Sequence, residues 1–271
     1  MLNSPLHREN LNAKAFSNMN GLRLNDICHV NHPIDLSFIS NKLRMMELHD
    51  YPLKFMPMCF QPNNLVEFMM PRSCIEKLPE EFSVSFPLMH ASAFFFNPPK
   101  ISITFLSLGY LISHIYFLSQ NLAKLRLLDL GDSKDFVKTP NFNGLPILEV
   151  LIFQGCTSLY ELQLPVGALN RLTLLNLKDC KNLKSLPSKI NLESLKIFIL
   201  SGCSTLKKFP DIGKNMTILS ELYLDGTAIE ELPPSIEHLT GLSLLSLKDC
   251  KRLSRFPRVD LPSLKALILS G

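Results

Sequence analysis

The stretch LTLLNLKDCKNLKSLP at Leu172–Pro187 returns seventy residues later, almost letter for letter, as LSLLSLKDCKRLSRFP at Leu242–Pro257. Two looser copies lie between them, LKIFILSGCSTLKKFP from Leu195 and LSELYLDGTAIEELP from Leu219. A chain that repeats itself at a fixed step folds as an array of like units. The shared pattern is L-x-x-L-x-L-x-x-(C/S/T), then a second apolar pair, then usually proline. Its last two leucines stand two apart, the spacing of a strand with one buried face. So short a strand cannot bury that face alone, and successive copies must stack into a parallel sheet over a shared core. The predicted fold is an α/β solenoid, a horseshoe with a parallel sheet along its concave side. Repeats of 23 residues leave little room for long helices, so the convex side is expected to hold short 3₁₀ or irregular segments.

The anchor leucines fall at Leu22, Leu43, Leu65, Leu125, Leu148, Leu172, Leu195, Leu219, Leu242 and Leu264, with Leu22 in a degenerate copy. Every step is 21 to 24 residues except one of 60, which falls to 23 when the 37 residues 84–120 are set aside. Removing that block also joins IEKLPEEFS (Ile75–Ser83) to NLAKLRLLDL (Asn121–Leu130), and the join aligns without gaps to IEELPPSIEHLTGLSLLSL at Ile229–Leu247. The chain is therefore divided into a linker remnant at 1–21, a first set of repeats at 22–83, a hydrophobic insertion at 84–120 and a second set at 121–271.

The insertion is foreign in composition. It holds six of the eighteen Phe and two of the five Tyr, with six Ser, four Ile and a single formal charge at Lys100. These are residues that T-rich DNA encodes, and Val84 and Gln120 fit the two ends of an untranslated intron. The block is read as a retained intron or gene-model error; transcripts that all carry these codons would end that idea. A membrane span over Ile101–Ser119 is the rival, since the stretch has no charged residue and nearly the needed length. Ser102, Ser107, Gly109, Ser113 and His114 dilute it, and a span would put adjacent coils on opposite sides of a bilayer. A true loop or a hydrophobic helix on the solenoid flank stays open as the third reading.

Within one coil Leu172, Leu175, Leu177, Cys180, Leu183, Leu186 and Ile190 are expected to point inward. Four of the seven cysteines, Cys156, Cys180, Cys203 and Cys250, stand three residues after the last strand leucine or phenylalanine. Ser73, Ser133 and Thr227 hold that place in sister copies. Cysteine exchanging with serine and threonine marks a small inward side chain that offers a weak hydrogen bond, so reduced thiols are expected rather than disulfides. No C-x-x-C is present to suggest metal, and His29 and His32 lie in an irregular segment. Pro187, Pro210, Pro233 and Pro257 follow the second apolar pair, where the chain turns away and no ladder donor is lost.

The residues between the strand leucines face solvent on the concave side. One column reads Leu127, Val150, Leu174, Ile197, Glu221, Leu244, Ala266; the next reads Asp129, Ile152, Asn176, Ile199, Tyr223, Ser246, Ile268. The candidate partner-binding residues are Val150, Ile152, Leu174, Asn176, Ile197, Ile199, Glu221, Tyr223, Leu244 and Ser246. Five of these, Val150, Ile152, Leu174, Ile197 and Ile199, predict a contiguous apolar patch, a partner-site signature. The bland alternative is strand propensity with tolerated exposure. A basic flank is expected from Lys181, Lys184, Lys207, Lys208, Lys251, Arg252 and Arg255, interrupted by Glu230 and Glu231; it either steers an acidic partner or merely solvates the edge. The formal net charge of +4 is too small to argue for nucleic acid. No phosphate loop of the type G-x-x-x-x-G-K-(S/T), no G-x-G-x-x-G and no nucleophile–base arrangement is present, so no catalysis is expected. A lone sequon at Asn215-Met216-Thr217 has no special weight.

LKDCKNLKSLP, LSGCSTLKKFPDI, LYLDGTAIEELPPSIEHLTGL and FQGCTSLYEL closely resemble the leucine-rich repeats of plant intracellular immune receptors. The class is the one with an N-terminal Toll/interleukin-1 receptor domain and a central nucleotide-binding domain (TIR-NBS-LRR), of the tobacco mosaic virus resistance protein type. SNKLRMMELHDYPLKFMP resembles the early repeat of that family, and AFSNMNGLRL its junction with the nucleotide-binding module. The resemblance covers about residues 10–83 and 121–271 and implies a leucine-rich repeat fold. It implies a non-enzymatic module that recognises a pathogen effector or a guarded host protein and restrains its own nucleotide-binding domain, in the cytoplasm or nucleus. The family's nucleotide switch and NAD-cleaving activity lie upstream of such repeats, so no cofactor is expected in this chain, and ATP or ADP would belong to an upstream domain. No membrane or nucleic-acid partner is implied. The sequence ends at LSG, where the family pattern continues with another cysteine, and a fragment at both ends is the expectation. The runner-up is an extracellular receptor-like repeat protein binding peptide or carbohydrate; that class has asparagine at the ladder position, G-x-I-P turns and many sequons.

Overall fold

Ten short strands stack side by side, all parallel and in chain order, in a computed structural model of the chain. The structure describes residues 19, 21–27, 40, 42–56, 63–78, 122–140, 142–164, 167 and 169–271. The insertion at 84–120, nearly all of 1–21, and His29 and His32 lie outside the described residues. The sheet strands are β1 Leu24–Ile27, β2 Met45–Leu48, β3 Glu67–Met69, β4 Leu127–Asp129, β5 Val150–Ile152, β6 Leu174–Asn176, β8 Ile197–Ile199, β10 Glu221–Tyr223, β11 Leu244–Ser246 and β12 Ala266–Ile268. Each is three or four residues long, the length that the L-x-x-L-x-L spacing dictates.

The register stacks like positions on like positions. Leu128 pairs with Leu151, Leu151 with Leu175, Leu175 with Phe198, Phe198 with Leu222 and Leu222 with Leu245, forming one buried column. The anchors Leu43, Leu65, Leu125, Leu148, Leu172, Leu195, Leu219 and Leu242 form a second. Leu48, Met70, Leu130, Phe153, Leu177, Leu200, Leu224 and Leu247 form a third, and all are at most 3% exposed. Burying a large apolar side chain contributes about 2 kcal/mol, offset by the ordering of the coil, so each coil depends on its neighbours. Of the inward residues expected in one coil, all are buried but Leu186, which is half-buried and packs on the core.

β3 pairs with β4 in the register of every other step, Glu67 with Leu127, Phe68 with Leu128 and Met69 with Asp129. The Arg126 and Leu127 N–H groups both donate to the Val66 carbonyl, at 2.7 and 3.1 Å. Sixty residues of chain thus separate two strands that stack like any neighbouring pair.

The ladder position does what its small side chains suggested. Sγ of Cys156, Cys180, Cys203 and Cys250 donates to the carbonyl of Leu130, Phe153, Leu177 and Leu224 at 3.2, 3.0, 3.1 and 3.0 Å. Ser133 Oγ donates to Met70 O at 3.2 Å in the same way, and Ser73 and Ser133 share a hydroxyl–hydroxyl bond of 2.9 Å. These carbonyls sit where the chain leaves the strand, and the ladder side chain satisfies them without water. Burial pushes the Cys156 thiol up to about 12 and raises those of Cys180 and Cys203 as well, so all three stay protonated and unreactive.

Just before each ladder residue the backbone turns left-handed. Asp50, Arg72, Asp132, Asp179 and Asp249 have φ between 56° and 58°, and Gly155, Gly202 and Gly226 between 63° and 78°. Aspartate tolerates this conformation and glycine adopts it freely. Where glycine follows aspartate the cause is steric: a methyl group at Gly155 would overlap the Asp132 carboxylate, and one at Gly202 that of Asp179, while Arg72 follows Asp50 with its side chain in place. This left-handed column was not foreseen from the sequence, although an Asp or Gly precedes most of the ladder residues.

The convex side departs from expectation in one respect. It carries 3₁₀ turns at Phe142–Gly144 and Pro234–His238, and the described residues contain no α-helix, as the short repeat required. It also carries a second, two-stranded parallel sheet of β7 (Lys189–Ile190) and β9 (Asp211–Ile212). Pro187 and Pro210 stand just before these strands and leave Ile190 and Ile212 buried, so the two segments run side by side and bond, as Gly213 N–H to Ile190 O does at 2.7 Å. Ser235 Oγ donates to Asp211 Oδ1 (3.1 Å) and accepts from Ile212 N–H (3.0 Å), tying the next coil's 3₁₀ turn to β9.

Candidate functional site: the open face of the sheet

The residues between the buried columns line the sheet's outer face. The pairing joins Leu127, Val150, Leu174, Ile197, Glu221, Leu244 and Ala266 into one row, and Asp129, Ile152, Asn176, Ile199, Tyr223, Ser246 and Ile268 into the next. Val150, Ile152, Leu174, Ile197 and Ile199 are all half-buried and occupy neighbouring places on β5, β6 and β8. Neighbouring strands lie about 4.8 Å apart, so these side chains touch one another across the sheet and form one apolar stripe. Asn176 is the polar member within it, and its Nδ2 donates to Gln154 Oε1 at 3.2 Å. Beyond the stripe the named residues are engaged internally. Tyr223 donates its hydroxyl to Glu221 Oε2 at 2.8 Å, a bond that also raises the phenol's pKa. Ser246 is only 4% exposed and bonds to Asp225, so it offers a partner nothing from this face. Leu244 is half-buried at the far end.

A further row borders the stripe on the anchor side: Arg23, Arg44, Val66, Arg126, Glu149, Thr173, Lys196, Ser220, Ser243 and Lys265. The backbone links each to the next, from Arg44 N–H to Arg23 O (2.8 Å) through to Lys265 N–H to Ser243 O (2.9 Å). Thr173, Ser220 and Ser243 add side-chain donors to the preceding coil's carbonyl at 2.9, 3.0 and 2.9 Å.

At the N-terminal end the second row turns acidic: Asp26 pairs with Glu47, Glu47 with Met69 and Met69 with Asp129. Ligand atoms of Asp26, Glu47 and His49 lie within 4.8 Å of one another. The sequence showed no such grouping because its members come from different coils. Arg72 Nη2 donates to His49 Nδ1 at 3.0 Å, so the ring's proton sits on Nε2, aimed at the Glu47 carboxylate. Glu47, His49 and Arg72 thus form a hydrogen-bonded chain, with the Asp26 carboxylate beside it. Arg72 in turn holds Asp50 through Nε at 2.9 Å.

The basic flank lies elsewhere, on the edge between ladder and convex turn. Lys181, Lys184, Lys207, Lys208, Lys251, Arg252 and Arg255 are all exposed. Glu230 N–H donates to Lys207 O (3.2 Å) and Ser254 N–H to Glu230 O (2.9 Å), and Glu231 pairs with Arg255 across the backbone. The two glutamates therefore sit inside the basic row and break it into segments. Among the described residues no helix is long and apolar enough to cross a membrane.

Residues 191–270 match the family model described as "Disease resistance protein RPS4B-like, leucine-rich repeats". The repeats match those of plant disease resistance proteins. Among curated relatives, all from Arabidopsis thaliana, the disease resistance-like protein DSC1 is 33% identical over 62% of this chain and 12% of its own length. Disease resistance protein RRS1 is 29% identical over 56% of the chain and 9% of its own length, and RPS6 is 27% identical over 51% and 9%. The matched stretch thus spans about a tenth of these relatives. The likeness is to the repeats of resistance proteins in general and is not tied to the tobacco mosaic virus type. Among solved structures, the leucine-rich repeat domain of the type III effector XopL aligns over 86% of this chain and 78% of its own, at 18% identity and a TM-score of 0.43.

Proposed function

We propose that this chain is the recognition and restraint region of an intracellular plant immune receptor. The apolar stripe formed by Val150, Ile152, Leu174, Ile197 and Ile199 is the contact surface for a protein. The observation that carries the reading is the stripe itself. It is five apolar side chains in two rows over three neighbouring strands, in register on an open face where a solvated sheet alternates apolar with polar residues. The likeness of these repeats to those of plant disease resistance proteins supports a role in defence. The buried, protonated thiols of Cys156, Cys180 and Cys203 suit a reducing compartment, the cytoplasm or nucleus. The partner is a pathogen effector or a guarded host protein, and in the resting receptor the same array holds the nucleotide-binding domain inactive. The chain contributes no catalytic chemistry and no cofactor contact of its own.

Ile152→Asp with Ile199→Asp tests this in the full-length receptor. Both side chains are half-buried on the outer face, so the array is expected to keep its circular dichroism spectrum and unfolding midpoint. Partner binding is expected to fall at least tenfold, or resting restraint to fail and signalling to become constitutive, as about 1.4 kcal/mol or more of lost contact requires. A doubly substituted receptor that binds and signals normally overturns the proposal.

A further inference from the structure

The face is not uniform along its length, and the change in chemistry says what kind of segment fits. Over β5, β6 and β8 it is apolar, while over β1–β4 the same row presents Asp26, Glu47, Met69 and Asp129, with Glu67 beside them on β3. The carboxylates on the other side of the stripe are engaged by side-chain hydroxyls. Glu221 accepts from Tyr223; Asp225 accepts from Ser201 Oγ (2.9 Å), Ser246 Oγ and Lys248 N–H (3.0 Å). Asp129 differs: among the described residues its carboxylate accepts one bond, from Gly131 N–H at 2.7 Å. It adjoins Ile152 directly, so a negative charge abuts the apolar stripe; among the described residues no Lys or Arg is paired with it, and His49 exerts only the weakest of the pulls on it. Burial raises its carboxyl above the usual carboxylate range, and the charges of Asp132 and Glu47 add to the effect. A positive charge placed over Asp129 offsets that desolvation cost through Coulomb attraction. Arg126, the nearest rim cation on the same coil, is turned to Glu149 at 3.7 Å. Arg23 and Arg44 stand on the anchor side of the face, so an incoming cation is directed to the ladder side, over Glu47 and Asp129.

We propose that the occupant of the open face is a protein segment with apolar side chains packed over β5, β6 and β8 and one or more Lys or Arg side chains seated over Glu47 and Asp129. The proposal rests on the stripe being the partner surface and adds the charge and direction of what binds there. Three strand spacings separate Asp129 from Ile199, about 14 Å, so the apolar and basic residues of an extended segment lie about three to five residues apart.

The test uses the purified chain as bait for a random-peptide phage library at low salt. Enriched peptides are expected to carry a short apolar cluster with Lys or Arg on one side, and Ile152→Asp with Ile199→Asp is expected to abolish their binding. Glu47→Lys with Asp129→Lys is expected to reverse the charge preference, and Glu47→Gln with Asp129→Asn to weaken the selected peptides about tenfold and flatten their salt dependence. The Gln/Asn pair keeps shape and hydrogen bonding, which separates a charge effect from misfolding. Peptides that need the two isoleucines yet ignore both acidic-site pairs overturn this inference and leave the partner surface standing. Enrichment of acidic peptides overturns it in favour of the basic flank. No enrichment, or binding indifferent to the isoleucines, overturns both.

Discussion

Asp179 and Gly202 hold the same place in successive coils, both left-handed, and the size of one dictates the other. Gly202→Ala is expected to cost about 2 kcal/mol or more, combining left-handed strain with overlap on Asp179, measured by urea unfolding. In an Asp179→Gly background the same change is expected to cost only the strain, about 1 kcal/mol; equal costs in both backgrounds would remove the carboxylate from the explanation. Asp129 permits a pH prediction. Its native carboxyl is raised by burial, so the folded state holds the proton more tightly than the unfolded chain. The stability this contributes is present at low pH and is lost as pH rises through the native value. At neutral pH the ionised carboxylate is therefore a burden. Asp129→Asn is expected to melt higher than the parent at pH 7, with the gap closing as pH falls toward about 4, the ordinary range for the group. A gap that is the same at both pH values would mean the gain comes from packing.

At the scale of the element, three-residue strands leave no interior to correct a wrong residue, so each position in the buried column counts. Asn25 breaks that column in β1, where it pairs with Met46 and is 6% exposed, and its Nδ2 has no hydrogen-bond partner. An unsatisfied buried amide costs about 1–3 kcal/mol, so Asn25→Val is expected to raise the unfolding midpoint; a lower one would show that the amide is satisfied in solution. The sequence spacing made the anchor leucines, both outer rows and the ladder position legible, because a strict period converts a residue number directly into a place on the sheet. It did not reveal which side chains are consumed by neighbours. Ser246 on Asp225 and Arg72 on His49 and Asp50 are contacts between coils, and nothing inside one repeat announces them. The pairing of β7 with β9 was hidden for the same reason: two residues carry no period.

Over the whole molecule, sheet and core run without a break from β1 to β12, and β3 meets β4 in register. The expected outcome of deleting residues 84–120 is an array with unchanged circular dichroism and a cooperative unfolding transition at the same denaturant concentration. Loss of that transition would show that the deleted block belongs to a coil. The charge asymmetry is also a property of the whole, since the basic flank is confined to coils after Leu172 and the acidic pole to those before Val150. A partner approaching along the array meets opposite fields at its two ends. The left-handed column has one more consequence, for how such an array can grow. Asp132 leaves no room for a side chain at Gly155, nor Asp179 at Gly202, whereas Asp50 is followed by Arg72, whose guanidinium turns back to hold the carboxylate. Copying the Asp179 coil in tandem would set its carboxylate against the next coil's Cβ, while copying the Asp179–Gly202 pair would not. The unit that duplicates without strain is therefore the pair, unless the second coil brings a cation that redirects the carboxylate.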